Sequence, residues 1–362
     1  MKKIIALVLA LAMVLCMAAC GGSEPAAPAA STTAPAATTT TTTPAAPAAP
    51  AEKTIDDLDP IEITMADNNN EASYPSQGLQ MFMKNVTEKT NGKITWDFYP
   101  NSALGGYVEL TENMAMDNLD AGELDPTLMT EYCPEFQLLI QPFIIMDADH
   151  FKKVLNLPAV KDLEATLDSY NIHTLGYMFC GFRSMCTQTP ITCVADCAGI
   201  VIRSPEADIY MNTLKRLGMS PTPMAMSEMY PSMKAGIIQG AEPAVSAIWD
   251  NSLYEVCPCI LHSNHMASFN NVVFGTNFWN SLDPLYQEVI EECIAEAQAW
   301  EFDAMTAGEQ EYYDKMEALG CTITEWANYQ ELVDLFAPTW DEAAASIGGN
   351  AAALLEAIKA AN

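Results

Sequence analysis

Residues 61–106 read IEITMADNNNEASYPSQGLQMFMKNVTEKTNGKITWDFYPNSALGG and alternate between strand and helix patterns. Apolar and polar residues alternate from Ile61 to Ala66, which predicts a strand. A helix is predicted over 77–90, and Asn91-Gly92 supplies a typical C-cap. A second strand is predicted over 94–98, with a second helix after the glycine pair that ends the stretch. Strand–helix–strand–helix alternation indicates a layered α/β lobe.

The same pattern continues toward the C-terminus. The longest predicted helix runs from Pro284 to about Leu319, and at 1.5 Å per residue it would be about 50 Å long. A body of about 300 residues is large for one hydrophobic core, so two lobes are expected. The expected buried stripe of the long helix consists of Leu285, Val289, Cys293, Ala297 and Trp300. The other predicted elements are strands at 172–179, 200–202 and 271–276 and helices at 206–217, 227–235, 329–346 and 351–361.

The N-terminus has the pattern of a secretory signal. Lys2 and Lys3 precede the apolar run Ile4–Met17, which is followed by small residues. The ending Met17-Ala18-Ala19-Cys20 resembles the bacterial lipobox, and that resemblance implies a signal over 1–19, cleavage before Cys20 and a lipid on its sulfur. The alternative is an ordinary secretion signal in which Cys20 is incidental.

Residues 20–60 are rich in Ala, Pro and Thr. Such a composition offers few large apolar side chains, so it cannot form a core and is expected to stay disordered. We therefore predict that this segment is a tether between the lipidated cysteine and a folded body that begins near Ile61.

The formal net charge is −31 at pH 7. Such a charge argues against binding to nucleic acid or to an anionic membrane surface, so the membrane is expected to be reached only through the lipid anchor. It would also repel a free anion, so an anion site has to be local. The arginines of the chain are Arg183, Arg203 and Arg216.

The chain has 11 cysteines. Without Cys16 and Cys20 an odd number of cysteines remains, so at least one thiol stays unpaired in a monomer. The others could be free buried thiols or could form disulfides, and the sequence is compatible with both alternatives. The spacings Cys193-x3-Cys197 and Cys257-x-Cys259 differ from standard zinc motifs. No metal or cofactor is predicted.

Three groups of motifs resemble one family. They are Phe98–Gly106 with Asp120 and Pro134–Phe136; Gly181–Arg183 with Ile202–Pro205; and Leu217–Met224 with Ser227–Tyr230, Gly236–Glu242 and Tyr254–Val256. In this order and at this spacing they resemble the solute-binding proteins of tripartite ATP-independent periplasmic (TRAP) transporters, the DctP-like family. The resemblance covers nearly the whole body.

The resemblance implies a two-lobed, periplasmic-binding-protein-like α/β fold with an interlobe cleft and a long helix that spans both lobes. The first lobe would contain 61–180 and 269–308, and the second would contain 181–268 and 309–362. The implied partners are the membrane subunits of a TRAP transporter, and the implied ligand is a small organic acid.

The resemblance also implies that Arg203 grips the ligand carboxylate and that Arg183 assists. The chemistry agrees independently, because a planar guanidinium matches a carboxylate with two parallel hydrogen bonds, which a lysine cannot provide. The alternative is that both arginines pair with local acids such as Glu206. Arg216 stands beside Lys215 on a predicted helix and is expected to be solvated.

Several candidate ligand-binding residues depart from the family pattern or carry less weight. Pro243 replaces an asparagine that usually donates an amide, and Met226 stands where an aromatic residue is common. Asn68, Trp249 and His265 are further candidates, although core packing is the alternative for Trp249 and a buried, hydrogen-bonded imidazole is the default for His265. Together with Phe182 and Phe269, Met226 and Trp249 could form an apolar wall, so a monocarboxylate with an apolar or aromatic body is expected rather than a small dicarboxylate.

Enzyme motifs are missing from the sequence: there is no Gly-x-Ser-x-Gly elbow, no His-Glu-x-x-His, no phosphate loop and no dinucleotide fingerprint. We therefore predict no enzymatic activity. The main expectation is an extracytoplasmic lipoprotein that captures an organic acid for a TRAP transporter. A lipoprotein that serves an ATP-driven transporter or a sensor is the alternative, and it would share the fold and the site.

Overall fold

A computed structural model describes residues 53–362, which form two mixed β-sheets with helices packed around them. The strands are β1 Ile61–Ala66, β2 Ile94–Tyr99, β3 Ala121–Leu124, β4 His173–Phe182, β5 Met185–Thr187, β6 Val201–Ser204, β7 Ser220–Pro223, β8 Gly240–Ala241, β9 Cys259–His262, β10 Ala267–Phe274 and β11 Thr322–Glu325. The helices are α1 Tyr74–Lys89, α2 Tyr107–Ala115, α3 Pro126–Met129, α4 Ala148–Leu155, α5 Pro158–Leu167, α6 Asp208–Arg216, α7 Met229–Lys234, α8 Val245–Asp250, α9 Thr276–Ser281, α10 Pro284–Ala318, α11 Tyr329–Ile347 and α12 Ala351–Ala360.

The first sheet has the strand order β2-β1-β3-β10-β4. Strands β2, β1 and β3 are parallel, whereas β10 runs antiparallel to both of its neighbours. Carboxyl ends of parallel strands meet at one edge of a sheet, and ligands of open α/β folds bind there. The residues that follow β1 and β3, Asp67 and Asp125, lie at this edge.

The second sheet has the order β11-β9-β5-β8-β6-β7. Strand β6 lies between β7 and β8 and is parallel to both, so Arg203 sits on an internal strand. The chain passes from the first sheet to the second between β4 and β5 and returns between β9 and β10. Gly181 lies at the first crossing with a φ of +82°, and a Cβ there would come 2.7 Å from the Met305 methyl group. The positive φ therefore favours glycine at this crossing.

Helix α10 packs along β4, the edge strand of the first sheet, and it also contacts β11 of the second sheet. The edge of a sheet presents unpaired backbone N–H groups, and three side chains of α10 accept hydrogen bonds from such groups. The pairs are Gln298 with the N–H of Tyr177 at 2.8 Å, Glu301 with that of Phe179 at 2.9 Å and Glu309 with that of Phe182 at 3.1 Å. The helix thus protects the strand that leads to the crossing.

The predicted bounds of the long helix agree with the structure to within a residue, but its predicted buried stripe is wrong at Trp300, whose exposure is 39%. Cys293 and Ala297 are buried as predicted, and Leu285 and Val289 are partly buried against the core. The last predicted step, from Ala297 to Trp300, took three residues, whereas the next buried position is Glu301, four residues on.

The predicted end of the tether at residue 60 is also wrong. Residues Ile55–Asp57 form a 3-10 turn, Leu58 is buried, and the Lys93 ammonium donates to the Leu58 carbonyl at 2.7 Å. The two apolar side chains Ile55 and Leu58 pack against the core beside α10, so the folded body begins before Ile61. Cys20, the signal over 1–19 and the rest of the tether lie outside the described residues.

The predicted helix over 227–235 begins later than expected. Met226–Glu228 form a 3-10 turn, and α7 follows from Met229. The Glu228 carboxylate accepts the N–H of Ala225 at 3.1 Å, so this acid, and not Ser227, supplies the hydrogen bond at the start of the segment.

The C-terminal helix α11 contacts both the segment that precedes α4 and helix α6 of the second sheet. The Trp340 indole donates to the Pro142 carbonyl at 2.8 Å, whereas the Arg216 guanidinium, which the sequence predicts to be solvated, donates to the Leu335 carbonyl at 2.9 Å. The lobe boundaries 61–180 plus 269–308 and 181–268 plus 309–362 stay a prediction.

Nine cysteines are present in the described residues, and all are free thiols. Eight are buried, and burial raises the pKa of Cys133 to about 11, which keeps it protonated and unreactive. Within residues 53–362, no cluster of His, Cys, Asp and Glu could hold a metal ion, and no helix is long and apolar enough to cross a membrane.

We predict that Glu301→Gln removes a pH-dependent destabilisation. Burial raises the pKa of Glu301 from 4.5 to about 8, so the folded state binds this proton more tightly and loses stability as pH rises from 4.5 toward 8. Glutamine keeps an acceptor for the Phe179 N–H but cannot ionise. Urea unfolding should show that the variant gains roughly 2–4 kcal/mol relative to wild type between pH 5 and pH 8. The exposed Glu288→Gln is the control, and equal pH profiles for wild type and Glu301→Gln would contradict the prediction.

Candidate functional site

The two sheets meet at a buried ion pair between Arg183 and Glu242. Arg183 directly follows β4, and Glu242 directly follows β8. Arg183 Nε lies 2.7 Å from Glu242 Oε2, and its Nη2 lies 3.0 Å from Oε1, so the pair is bidentate. The exposures are 7% and 1%, and the ring of Tyr210 covers the guanidinium at 4.3 Å. Such a pair, taken out of water, has to be fully hydrogen-bonded to be tolerated.

His265 supports this ion pair from the second crossing. Its Nε2 lies 3.2 Å from Glu242 Oε2, and because a carboxylate only accepts, Nε2–H is assigned as the donor. Its Nδ1 lies 2.7 Å from the Ser263 hydroxyl, which in turn lies 3.1 Å from the Arg183 carbonyl. Ser263 and His265 therefore tie the return crossing to the outgoing one.

Arg203 is as buried as Arg183 but is not neutralised in the same way. Its exposure is 4%, and its Nε donates to the Met224 carbonyl at 2.9 Å. Within residues 53–362, no carboxylate oxygen lies within 4.0 Å of its guanidinium, and its two terminal nitrogens have no hydrogen-bond partner. The predicted alternative partner Glu206 pairs with neither arginine.

The two guanidinium groups differ in electrostatic environment. Burial lowers the pKa of Arg203 to about 10, although the Glu242 charge acts in the opposite direction. Burial also disfavours the charge on Arg183, but the adjacent Glu242 outweighs it and raises that pKa. Glu242 in turn has a lowered pKa, because Arg183 and His265 overcome the effect of burial. Arg203 is thus a largely buried charged group whose terminal nitrogens find no acceptor among the described residues.

Asp125 directly follows β3 of the first sheet. Its Oδ1 caps α3 by accepting the Thr127 N–H at 2.8 Å and the Thr127 hydroxyl at 2.6 Å. Its Oδ2 has no hydrogen-bond partner within the described residues. Burial raises the pKa of Asp125, and the charges of Arg183 and Arg203 partly counteract that rise.

Asp67 and Glu123 form a buried acid pair at the same edge. The exposure of both is 0%, and the amide of Asn69 donates to both carboxyl groups. Burial raises the pKa of both acids, and the neighbouring Asp67 charge raises that of Glu123 further. Asp67 Oδ2 and Glu123 Oε1 are buried and have no hydrogen-bond partner among the described residues. Both raised pKa values favour the neutral form of these acids.

Asn68 contributes to the architecture of the cleft. In the amide orientation that satisfies both ends, its nitrogen donates to the Ser102 hydroxyl at 2.9 Å and to the Gly105 carbonyl at 2.7 Å, while its oxygen accepts the Tyr107 N–H at 2.9 Å. The side chain therefore fixes the loop that starts α2. Through α2 it positions the Tyr107 hydroxyl, which accepts from Asn270 at 3.0 Å.

The remaining predicted residues lie around these clusters. Pro243 is buried, and its carbonyl accepts the Ser184 N–H at 2.9 Å. Met226 is 38% exposed, and Trp249 stacks on Tyr254 with ring centroids 5.1 Å apart. Phe182 and Phe269 belong to the main hydrophobic core. The positions of these four residues do not support the expected apolar wall.

Sequence reasoning missed the acids. Asp67 and Asp125 directly follow predicted or observed strand ends, and that position is a usable signal for a ligand site. Glu123 had no local signal, and its partner Asn69 lies 54 positions away in the chain. Glu242 ends the motif Gly236–Glu242, but its pairing with Arg183 could not be predicted, because the two residues lie 59 positions apart. As an arrangement of charges, the site can bind an anion at the two terminal nitrogens of Arg203.

Comparisons with known proteins also indicate a solute-binding protein. The DctP family model, described as bacterial extracellular solute-binding protein, family 7, matches residues 65–346. A solute-binding protein of Sulfitobacter sp. strain NAS-14.1 is 29% identical over 289 residues, which cover 78% of this chain and 86% of that protein.

Solved structures confirm the predicted two-lobed fold. The sugar acid binding protein from Advenella mimigardefordensis in complex with galactonate gives a TM-score of 0.80 at 22% identity, covering 84% of this chain and 100% of that one. A TRAP periplasmic solute-binding protein from Haemophilus influenzae with bound L-gulonate gives a TM-score of 0.79 at 24% identity, covering 83% and 99%.

We predict that Glu242→Gln destabilises the folded protein by about 3–5 kcal/mol, because it leaves the buried Arg183 charge without its counterion. Urea unfolding at pH 7 is the measurement. Glu255→Gln is the matched control, since Glu255 is an exposed carboxylate that accepts one hydrogen bond from Tyr230. It should change stability by less than about 0.5 kcal/mol. A Glu242→Gln protein as stable as this control would show that the ion pair does not hold the two crossings together.

Proposed function

The chain belongs to the DctP family of bacterial extracellular solute-binding proteins, and from this premise we propose that it captures a small organic acid outside the cell and delivers it to a TRAP transporter. The predicted resemblance to this family is thereby confirmed. The relatives are solute-binding transport proteins, which supports the expectation that this chain binds its solute without converting it.

The observation that carries the proposal is the state of Arg203. A buried guanidinium without a counterion is costly, and a ligand carboxylate would supply the missing charge and accept from both terminal nitrogens. The backbone carbonyl of Met224 already holds Nε, so the terminal nitrogens are kept in a fixed orientation. Arg183 is engaged with Glu242, so its role would be to shape and charge the site rather than to grip the ligand.

The related structures suggest which acids to test first. Galactonate and L-gulonate, bound by two structural neighbours, are monocarboxylates with several hydroxyl groups. Hydroxyl groups pair with carboxylates such as Asp125, whereas an aromatic body would need an apolar wall that Phe182 and Phe269, both packed in the core, do not extend. Polyhydroxylated monocarboxylates are therefore the first candidates.

The alternative partner, an ATP-driven transporter or a sensor, would use the same fold and site. Membership of the DctP family favours the TRAP transporter. Growth of a strain that lacks the genes of the TRAP membrane subunits, on the acid that the protein binds, separates these cases.

We predict that Arg203→Met abolishes most of the binding. Methionine fills much of the space but removes the charge, and loss of one partner of a buried ion pair costs about 3–5 kcal/mol, or roughly two to four decades of affinity. Arg203→Lys keeps the charge but loses the planar pair of donors, so it should weaken binding by about 1.5–3 kcal/mol. Calorimetry with galactonate, L-gulonate and succinate is the measurement.

Lys215→Ala is the control for this series, since it removes one positive charge from an exposed position on α6. It should bind as wild type does. Wild-type affinity in a folded Arg203→Met protein, as judged by its melting temperature, would exclude this residue from the site.

We also propose that Cys20 carries the lipid anchor, and we predict that Cys20→Ala releases the full chain from membranes. The basis is the apolar run and the small residues before Cys20 in the sequence. Fractionation of cells after a high-salt wash is the measurement, and wild type should stay in the membrane fraction. Retention of Cys20→Ala with the membranes would contradict the anchor.

A further inference from the structure

A cavity of about 260 Å³ lies where α10 meets β4 and the helices α4 and α5. This volume is below the roughly 300–1,000 Å³ of pockets for drug-sized ligands, so the cavity suits only a small molecule. Neither Arg183 nor Arg203 lines it, and its walls belong to the elements around the β4 edge of the first sheet. The cavity is therefore separate from the arginine site.

Small residues open this cavity. Ala295 and Ala299 line it from α10, and because they stand four positions apart they lie on the same face of the helix. Both are exposed, so no neighbouring element fills the space beside them. On β4, Gly176 allows the side chain of Gln298 to come close, since a Cβ there would stand 2.5 Å from Gln298 Oε1. A larger residue at either alanine would reduce the space.

The inner wall of the cavity is apolar. Leu155, Leu175, Ile294 and Phe302 form it. Phe302 is 8% exposed and stacks on Phe179 with ring centroids 5.1 Å apart, so the core fixes its position. Such a wall favours an aliphatic or aromatic group, because burial of apolar surface is the contact that it can offer.

Ammonium groups line the outer part of the cavity. Lys152, on α4, has its Nζ 5.0 Å from the centre of the Phe302 ring, and within residues 53–362 no carboxylate oxygen lies within 4.0 Å of it. Lys161, on α5, has its Nζ 2.8 Å from Glu164 Oε1. An anion next to Phe302 would therefore meet one unpaired ammonium and share a second one with Glu164.

Gln298 supplies a further donor. Its Oε1 accepts the Tyr177 N–H at 2.8 Å, which fixes the orientation of the amide and leaves Nε2 as the donor. In the part of the chain that the structure describes, Nε2 has no hydrogen-bond partner. Glu291, an exposed acid of α10, also lines the cavity and would repel a second carboxylate. These polar groups fit a ligand with one negative charge better than a ligand with two.

We propose that this cavity is a second binding site, for a small monocarboxylate with an aliphatic or aromatic body. The carboxylate binds at Lys152 and Lys161 and accepts from Gln298, and the body of the acid covers Phe302 and Leu175. The bound acid joins α4 and α5 to α10, so it raises the melting temperature of the protein. This site goes beyond the proposed function, because it does not use Arg203.

The test uses the full chain with Arg203→Met, purified from membranes in a nonionic detergent, so that the arginine site does not contribute. Calorimetry at low ionic strength compares benzoate, butyrate, acetate and succinate. Butyrate should bind about tenfold more tightly than acetate, because it buries two further methylene groups. Benzoate should bind at least as tightly as butyrate, and succinate should bind more weakly than either because of Glu291.

Two pairs of variants locate the binding. Lys152→Gln should weaken benzoate binding about tenfold or more, the effect of one charge-assisted hydrogen bond, whereas the exposed Lys153→Gln, outside the cavity lining, should leave it unchanged. Ala295→Leu should abolish binding because the side chain fills the cavity. Ala307→Leu, at another exposed position of α10, should not, and leucine is a good helix former at both positions.

The outcomes distinguish this site from the solute site. Absence of benzoate binding in a folded Arg203→Met chain would overturn the second site and leave the solute site standing. Equal losses in Lys152→Gln and Lys153→Gln, or in both leucine variants, would also overturn it. Acetate or succinate that binds as tightly as benzoate would refute the ligand class. If Arg203→Met does not fold, the same paired variants are compared in wild type, where benzoate binding that is equal in all four variants would overturn the proposal.

Discussion

The bidentate ion pair between Arg183 and Glu242 is the contact on which the rest of the site depends. It lies where the chain leaves the first sheet, and His265, from the segment where the chain returns, shares the same carboxylate. Because Glu242 already serves Arg183 and His265, it does not also pair with Arg203. The protein thus neutralises the guanidinium of Arg183 and leaves that of Arg203 without a counterion. A ligand carboxylate can therefore bind to Arg203 but not to Arg183.

The overall negative charge of the chain limits how the site can attract an acid. A chain with a net charge of −31 does not attract anions over long distances, and salt screens such a field beyond about 8–10 Å in any case. Affinity for an acid therefore has to come from short-range contacts in a region from which water is largely excluded. Arg203, held by the Met224 carbonyl on an internal strand of the second sheet, provides such a contact.

Sequence reasoning predicted the elements better than the site. Hydrophobic periodicity is a local property, and it was sufficient for β1 and for both ends of α10. It failed at Trp300, where the last predicted step took three residues and left the buried face, and at Leu58, which is buried although it stands in the Pro-rich segment. Neither error changes the fold.

The partners of the site residues could not be predicted in the same way. The positions of Arg183 and Arg203 came from motifs, but which of them is neutralised depends on Glu242, whose contact with Arg183 is made only when the two crossings come together. The acid pair of Asp67 and Glu123 likewise exists only through the register of parallel strands. The balance of charges in a cleft depends on tertiary contacts, so it could not be predicted from the sequence.

The crossing at Gly181 connects the edge of the first sheet to the ion pair. Glu301 and Glu309 of α10 accept the N–H groups of Phe179 and Phe182, on either side of Gly181, and Arg183 follows directly. The positive φ of Gly181 is a backbone conformation that other residues rarely adopt, so the chain turns here between two fixed points. Beyond the turn, Arg183 is bound to Glu242, which follows a strand of the second sheet. The position of the buried ion pair is therefore set from both sheets at once, by the hydrogen bonds of α10 on one side and by the strand that precedes Glu242 on the other.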